Sequence, residues 1–201
     1  MRLFRSISAK ILALTAFAVL VAVGVGAIGW NAIAGQQRAV LGLNVINDAL
    51  RNQGETDGAN HAVLYDVLVM STSDSKEDRK AATDDLAERL QTLTDATATN
   101  QRLLANLGAT PAVQQAFTDI GPALTGYVRA GKAAADLAGR GVRIGAEMVA
   151  AVDAVAEPFD QRFDALTAAI GAFGDSYTTS AEQAGSSSRR LMAILIVLTG
   201  L

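Results

Sequence analysis

The residue types that most often carry chemistry are scarce in this chain. Among 201 residues there is one histidine, His61, and no cysteine. That combination excludes a Cys–His pair, a two-histidine metal site and a disulfide framework. A Ser–His–Asp arrangement would have to use His61, and no nucleophile-elbow sequence accompanies it. There is no phosphate-binding glycine loop, since Gly24, Gly26 and Gly29 fall inside an apolar run. Asp84–Asp85 and Asp160/Asp164 have the form of paired carboxylates, but such charges are far more often the solvated faces of amphipathic helices. No catalytic residue, cofactor or metal is therefore expected, and the chain does not read as an enzyme.

What remains is a polar interruption of an apolar seam. Leu43, Ile46 and Leu50 step by three and four, as do Leu64 and Val67 further on. Between them the same seam falls on Gln53, Asp57 and Asn60, with His61 adjacent and Gly54 and Gly58 nearby. Polar groups at seam positions cost stability unless they are satisfied, so they suggest a register device, a dimer contact or a ligand pocket. Arg51, Gln53, Asp57, Asn60 and His61 are the candidate ligand-binding residues. Thr97 and Asn100 are polar seam positions on a second helix. Counted from the two apolar ends, Arg51 to His61 lies level with Gln161 to Gly171.

The elements that would hold these residues begin with the run from Lys10 to Gln37. No charged residue lies between Lys10 and Arg38. At about 1.5 Å per residue, some 20 apolar residues cross a hydrocarbon layer roughly 30 Å thick. Residues 11–33 therefore read as a transmembrane helix, and the run exceeds the apolar core of a cleaved signal peptide. Arg2, Arg5 and Lys10 precede it without an acid, which keeps residues 1–10 in the cytoplasm and exports residues 34–190. Residues 191–201, LMAILIVLTGL, read as the start of a second span cut short. Arg189 and Arg190, on the external side, run against the charge bias.

Between the apolar ends the expected elements are helices. Ser71–Ser75 breaks the first, and Ser75 (or Asp74) caps a second from Lys76 to Leu107 with the seam Leu86, Leu90, Leu93, Thr97, Asn100, Leu104, Leu107. Gly108 stands where a C-terminal glycine belongs, and Thr110–Pro111 is a cap followed by proline at the first helical position. The third helix carries Val113, Phe117, Ile120, Leu124, Tyr127, Gly131, Ala134 and Ala138, with Pro122 expected to kink it. Gly139–Gly141 is the next turn. The last helix restarts near Val142 and carries Phe159, Phe163, Leu166, Ile170, Phe173 and Tyr177, with Pro158 at a bend or second start. No strand pattern competes. An all-α, antiparallel up-down four-helix bundle between two transmembrane helices follows.

Residues 38–188 hold 12 basic against 20 acidic side chains, a charge of −8. So acidic a segment argues against nucleic acid and against lying flat on anionic lipid. Membrane lipid around the apolar ends, a second copy of the chain, and a small molecule or binding protein are the expected partners.

The order of elements resembles bacterial methyl-accepting chemotaxis receptors: a basic start, a membrane helix, an exported four-helix bundle and a second membrane helix. The string from His61 to Met70 resembles the end of that family's first bundle helix. Ala130 to Gly139 and Ala156 to Ala165 resemble its passage from third to fourth helix. The resemblance implies dimerisation along the first helix, small-molecule binding at the dimer interface and a piston-like shift of the last helix. The amino-acid receptors of that family clamp a ligand carboxylate with several arginines on the first helix. Here that stretch holds Asp57, His61 and Asp66, with Arg51 the one arginine nearby, which points away from such a ligand. The same bundle placed before a histidine kinase or nucleotide cyclase is the second reading, and a ligand-free structural anchor is the third.

Overall fold

The computed structural model describes residues 2–199, with side chains for 15, 16, 18–187, 190, 191, 193 and 194. Four helices account for nearly all of it: α1 (Arg2–Thr72), α2 (Lys76–Asn106), α3 (Pro111–Gly139) and α4 (Ala146–Thr199), with no strand among the described residues. The boundaries sit where local chemistry places them. Ser75 is the N-cap of α2, its hydroxyl accepting from the Asp78 amide at 3.1 Å, with Glu77 and Asp78 favourable to the helix dipole. Thr110 caps α3 ahead of Pro111. Gly108 and Gly141 have φ of +81° and +75°, and the amides of Ala109 and Val142 reach back to the carbonyls of Leu104 and Leu137. Both are Schellman endings, which need a left-handed residue that glycine supplies without strain.

Two expected features move. The last helix begins at Ala146 rather than near Val142, because the connection folds inward: Ile144 is buried and Arg143 is drawn to the end of α1. The Arg143 guanidinium donates to the Ser71 and Thr72 carbonyls at 2.9 and 3.0 Å and pairs with Asp74 at 3.3 Å, satisfying acceptors that a helix end leaves open. Neither proline interrupts its helix. Pro122 and Pro158 both lie on exposed positions within α3 and α4, where the missing N–H is nearest solvent.

The chain divides into two compact units, Asn44–Asp175 and Met1–Leu43 with Ser176–Leu201. The interior of the first is built from four stripes of three-four spacing. Those of α2 (Ala82, Leu86, Leu90, Leu93, Thr97, Asn100, Leu104) and α3 (Val113 to Ala134) are the expected ones, apart from Leu107 and Ala138 at the frayed ends. On α4 the stripe starts earlier, at Val152 and Ala156, and continues through Phe159 to Phe173.

On α1 the phase differs. The buried side chains from Ile46 onward are Ile46, Ala49, Gln53, Thr56, Asn60, Val63, Asp66, Val67 and Met70, so Leu50 and Leu64 are only half-buried and Asp57 is exposed. After Ile46 both the three-step and the four-step land on an apolar residue. Ala49, small and fully buried, wins because it admits the Asn100 side chain to its carbonyl.

Residue numbers rise on α1 as they fall on its neighbours. Gln53 meets Thr167 and Asn60 meets Asp160 on α4, while Asn52 meets Asn100 and Asp66 meets Arg89 on α2. The α2–α3 contact closes on Gly131. A Cβ there would come within 2.8 and 3.0 Å of the two methyls of Leu90, which is itself buried. Gly131→Ala is therefore expected to destabilise. The helix-propensity gain of about 1 kcal/mol is outweighed by an overpacking cost of about 1–3 kcal/mol. A denaturation midpoint equal to or above that of the parent protein would show that Leu90 yields freely.

In the second unit, Tyr177 lies against Gly42, where a Cβ would collide with its ring, and its hydroxyl donates to the Arg38 carbonyl at 3.4 Å. The apolar part of α1 is long and apolar enough to cross a membrane, and no residue of its most apolar window is buried. Leu20 and Trp30 are 71 and 74% exposed. A signal sequence near an N-terminus has the same length and apolarity. Of the expected second span, residues 200 and 201 lie outside the described residues, as do the side chains of 192 and 195–199. Leu191 and Ile194 are exposed on a helix that continues to Thr199.

Candidate functional site

The polar residues of α1 separate into two groups. Gln53 and Asn60 face the interior, together with Thr56 and the half-buried Asn52. Arg51, Asp57 and His61 face solvent. Arg51 stands between Asp48 and Glu55 at 3.6 and 3.9 Å, and His61 Nε2 lies 3.6 Å from an Asp57 oxygen. Exposed pairs of this kind are worth little. The five candidate residues therefore do not converge on one pocket. The departure follows from the seam phase: with Thr56 rather than Asp57 inside, Asp57 and His61 share the outer face.

The interior polar layer is a connected network. Asn100 on α2, fully buried, donates to the Ala49 carbonyl at 3.0 Å and to Gln53 Oε1 at 3.1 Å, and accepts from Asn52 Nδ2 at 2.9 Å. Gln53 Nε2 then donates to the Thr167 hydroxyl at 3.1 Å, which passes its own hydrogen to the Phe163 carbonyl. Two turns along α1, Asn60 Nδ2 donates to Asp160 at 2.6 Å. Tyr127 of α3 reaches the Asn60 carbonyl at 3.4 Å and stacks on Phe159 with ring centroids 5.0 Å apart. Burial pushes the Tyr127 hydroxyl far above its ordinary pKa and the nearby Asp160 charge adds to this, so it remains a neutral donor. Among the described residues no buried side-chain nitrogen or oxygen lacks a partner.

Asn52, Thr56 and Thr167 escaped sequence reasoning, while Tyr127 and Asp160 were read as a seam residue and a carboxylate pair member and not as parts of a polar layer. The Asp160 carboxylate, read as part of a solvated face, accepts from a buried amide. Asp66 escaped as well: it is 3% exposed, 2.7 Å from Arg89 Nε. The seam period held the signal for Thr56, since Gln53 plus three gives it as readily as plus four gives Asp57. Nothing in the spacing of α4 distinguished Asp160 from Asp164.

Apart from this layer, an open cleft of about 540 Å³ lies between α2 and α3, lined by Thr94, Leu124, Thr125, Val128, Arg129, Lys132, Ala133 and Asp136. No family model, curated protein or solved structure matches this chain.

Proposed function

We propose that the chain is the sensor part of a transmembrane signalling receptor of the chemotaxis type. In this reading residues 34–190 form an extracytoplasmic, antiparallel up-down four-helix bundle and residues 11–33 anchor it in the cell membrane. The observation that carries the reading is the pair of unbroken helices, α1 from Arg2 to Thr72 and α4 from Ala146 to Thr199, each joining the four-helix interior to an apolar end. A helix without a break transmits an axial shift. A ligand then moves the signalling equilibrium by its differential affinity for the two positions, typically about 1–3 kcal/mol.

The outer face of α1 supports a homodimer. Arg51, Gly54, Gly58, His61, Tyr65 and Leu68 repeat the three-four rhythm of the inner seam, with open space over both glycines and Tyr65 and Leu68 exposed. Arg51, Asp57 and His61 would then face a ligand between two copies, while Gln53 and Asn60 would hold the register behind them. A structural anchor without a ligand is the second reading, favoured by the complete internal pairing of the polar layer.

The absence of cysteine makes a single-cysteine reporter clean. Tyr65→Cys in intact cells is expected to react with a membrane-impermeant maleimide and to form a covalent dimer on mild oxidation. Its cross-linking rate is expected to change with at least one pool of small molecules. Protection from the impermeant reagent together with no covalent dimer on oxidation would overturn the topology. Labelling and dimerisation indifferent to every pool would favour the structural anchor.

A further inference from the structure

We propose that the cleft between α2 and α3 binds small amphipathic monocarboxylates. Its charge is the first reason. Arg129 and Lys132 are three residues apart on α3, hence neighbours on one helix face. Among the described residues neither makes an ion pair or a hydrogen bond. They are two unengaged cations in a segment that carries −8 overall.

The remaining lining narrows the ligand. Leu124 and Val128 give the cleft an apolar wall, and about 540 Å³ is within the range of small-ligand sites. Acetate would leave that wall uncovered, whereas a ring or a short alkyl chain would cover it. The hydroxyls of Thr94 and Thr125 donate to the Leu90 and Gly121 carbonyls at 2.9 and 2.8 Å. With their hydrogens committed they can only accept, so a carboxylate is held by Arg129 and Lys132 alone. Asp136 lines the same cleft one turn beyond Lys132 and opposes a second negative charge on the ligand. These features together select a monoanion with an apolar body. The site is independent of the receptor reading, because it is defined by binding and requires no signal output.

The test uses the full chain in nanodiscs of zwitterionic lipid, with empty nanodiscs as blank, and follows 4-fluorobenzoate by fluorine NMR. Saturable binding in the range of about 0.1–1 mM is expected, with 4-fluorobenzamide about tenfold weaker. Arg129→Gln and Lys132→Gln should each weaken the acid by about five- to tenfold and leave the amide unchanged. Asp136→Asn should admit 4-fluorophthalate, a dianion that the parent chain rejects. All three positions are exposed, so loss of fold does not confuse the result. Absence of saturable binding, equal affinity for acid and amide, or indifference to both cation substitutions would each overturn the proposal.

Discussion

Replacing Arg89 with alanine is expected to cost the folded chain about 3–5 kcal/mol at neutral pH, because it strands a buried carboxylate. Asp66 sits on the interior side of α1 with 3% of its side chain exposed, and its partner is the Arg89 guanidinium, 2.7 Å away. Desolvation dominates and raises the Asp66 pKa above its ordinary 3.8; the hydrogen bond and charge of Arg89 oppose this, and Asp85 adds to the rise. Even paired, the carboxylate is thus held at some expense. Breaking a buried pair on one side is far worse than never having had it.

The pH dependence follows in sign. A folded-state pKa above the unfolded one means that the folded form holds its proton more tightly. Its stabilising contribution is complete below 3.8 and is lost as pH rises through the folded value. Arg89→Ala removes both influences that lower that value, so the loss should deepen toward neutrality and shrink on acidification. Chemical denaturation at about pH 7 and about pH 4 should show the gap between parent and variant narrowing. Asp66→Asn keeps an acceptor for Arg89 and removes the titrating charge, so its loss should be smaller and free of that slope. An Arg89→Ala deficit equal at both pH values would mean that Asp66 is not the group responsible.

Much of the helical plan was legible because each boundary rests on short-range chemistry. Ser75, Gly108, Thr110–Pro111 and Gly141 act within a turn of their own position, and a cap or a left-handed glycine requires no knowledge of the partner. The α2 and α3 stripes were legible for a related reason: large apolar residues, leucines on α2 and Val113, Phe117, Ile120, Leu124 and Tyr127 on α3, recur along one face of each helix. The phase of α1 was not. From Ile46 to Met70 that helix carries apolar or neutral residues on both faces, so Leu50, Leu64, Tyr65 and Leu68 compete with Ala49, Val63 and Val67. Which set turns inward depends on what the other helices present, and the deciding group, Asn100, lies on α2. Asp66 and Asp160 were illegible in the same way, since an acid reads as surface until its donor on another helix is known. Arg143 was missed because it serves carbonyls of α1 that no pattern in its own loop announces.

The Asn100 network yields the other large effect. Asn100→Ala is expected to cost about 2–4 kcal/mol, more than an ordinary buried hydrogen bond, because it leaves the buried Gln53 Oε1 without its donor and takes the second donor from the Ala49 carbonyl, which keeps its helical one. A small cavity adds to the loss. Replacing both Asn100 and Gln53 by leucine removes the stranded groups and should recover most of that stability, with a coupling of about 1–3 kcal/mol between the two sites. The recovered protein should nevertheless be less well defined. With leucine at both positions, the α1 and α2 stripes lose one of their two polar contacts, and a slip by one heptad is opposed by the Asp66–Arg89 pair alone. In the parent chain such a slip would part Asn100 from Ala49, Asn52 and Gln53 together. Hydrogen exchange distinguishes the outcomes. The doubly substituted protein should unfold at a denaturant concentration near the parent's while the central amides of α1 and α2 exchange faster by about tenfold or more. Slow exchange equal to the parent's would mean that packing and the Asp66–Arg89 pair set the register without the amides, and the buried amides would then be free to serve the ligand-binding role that their place in the seam first suggested.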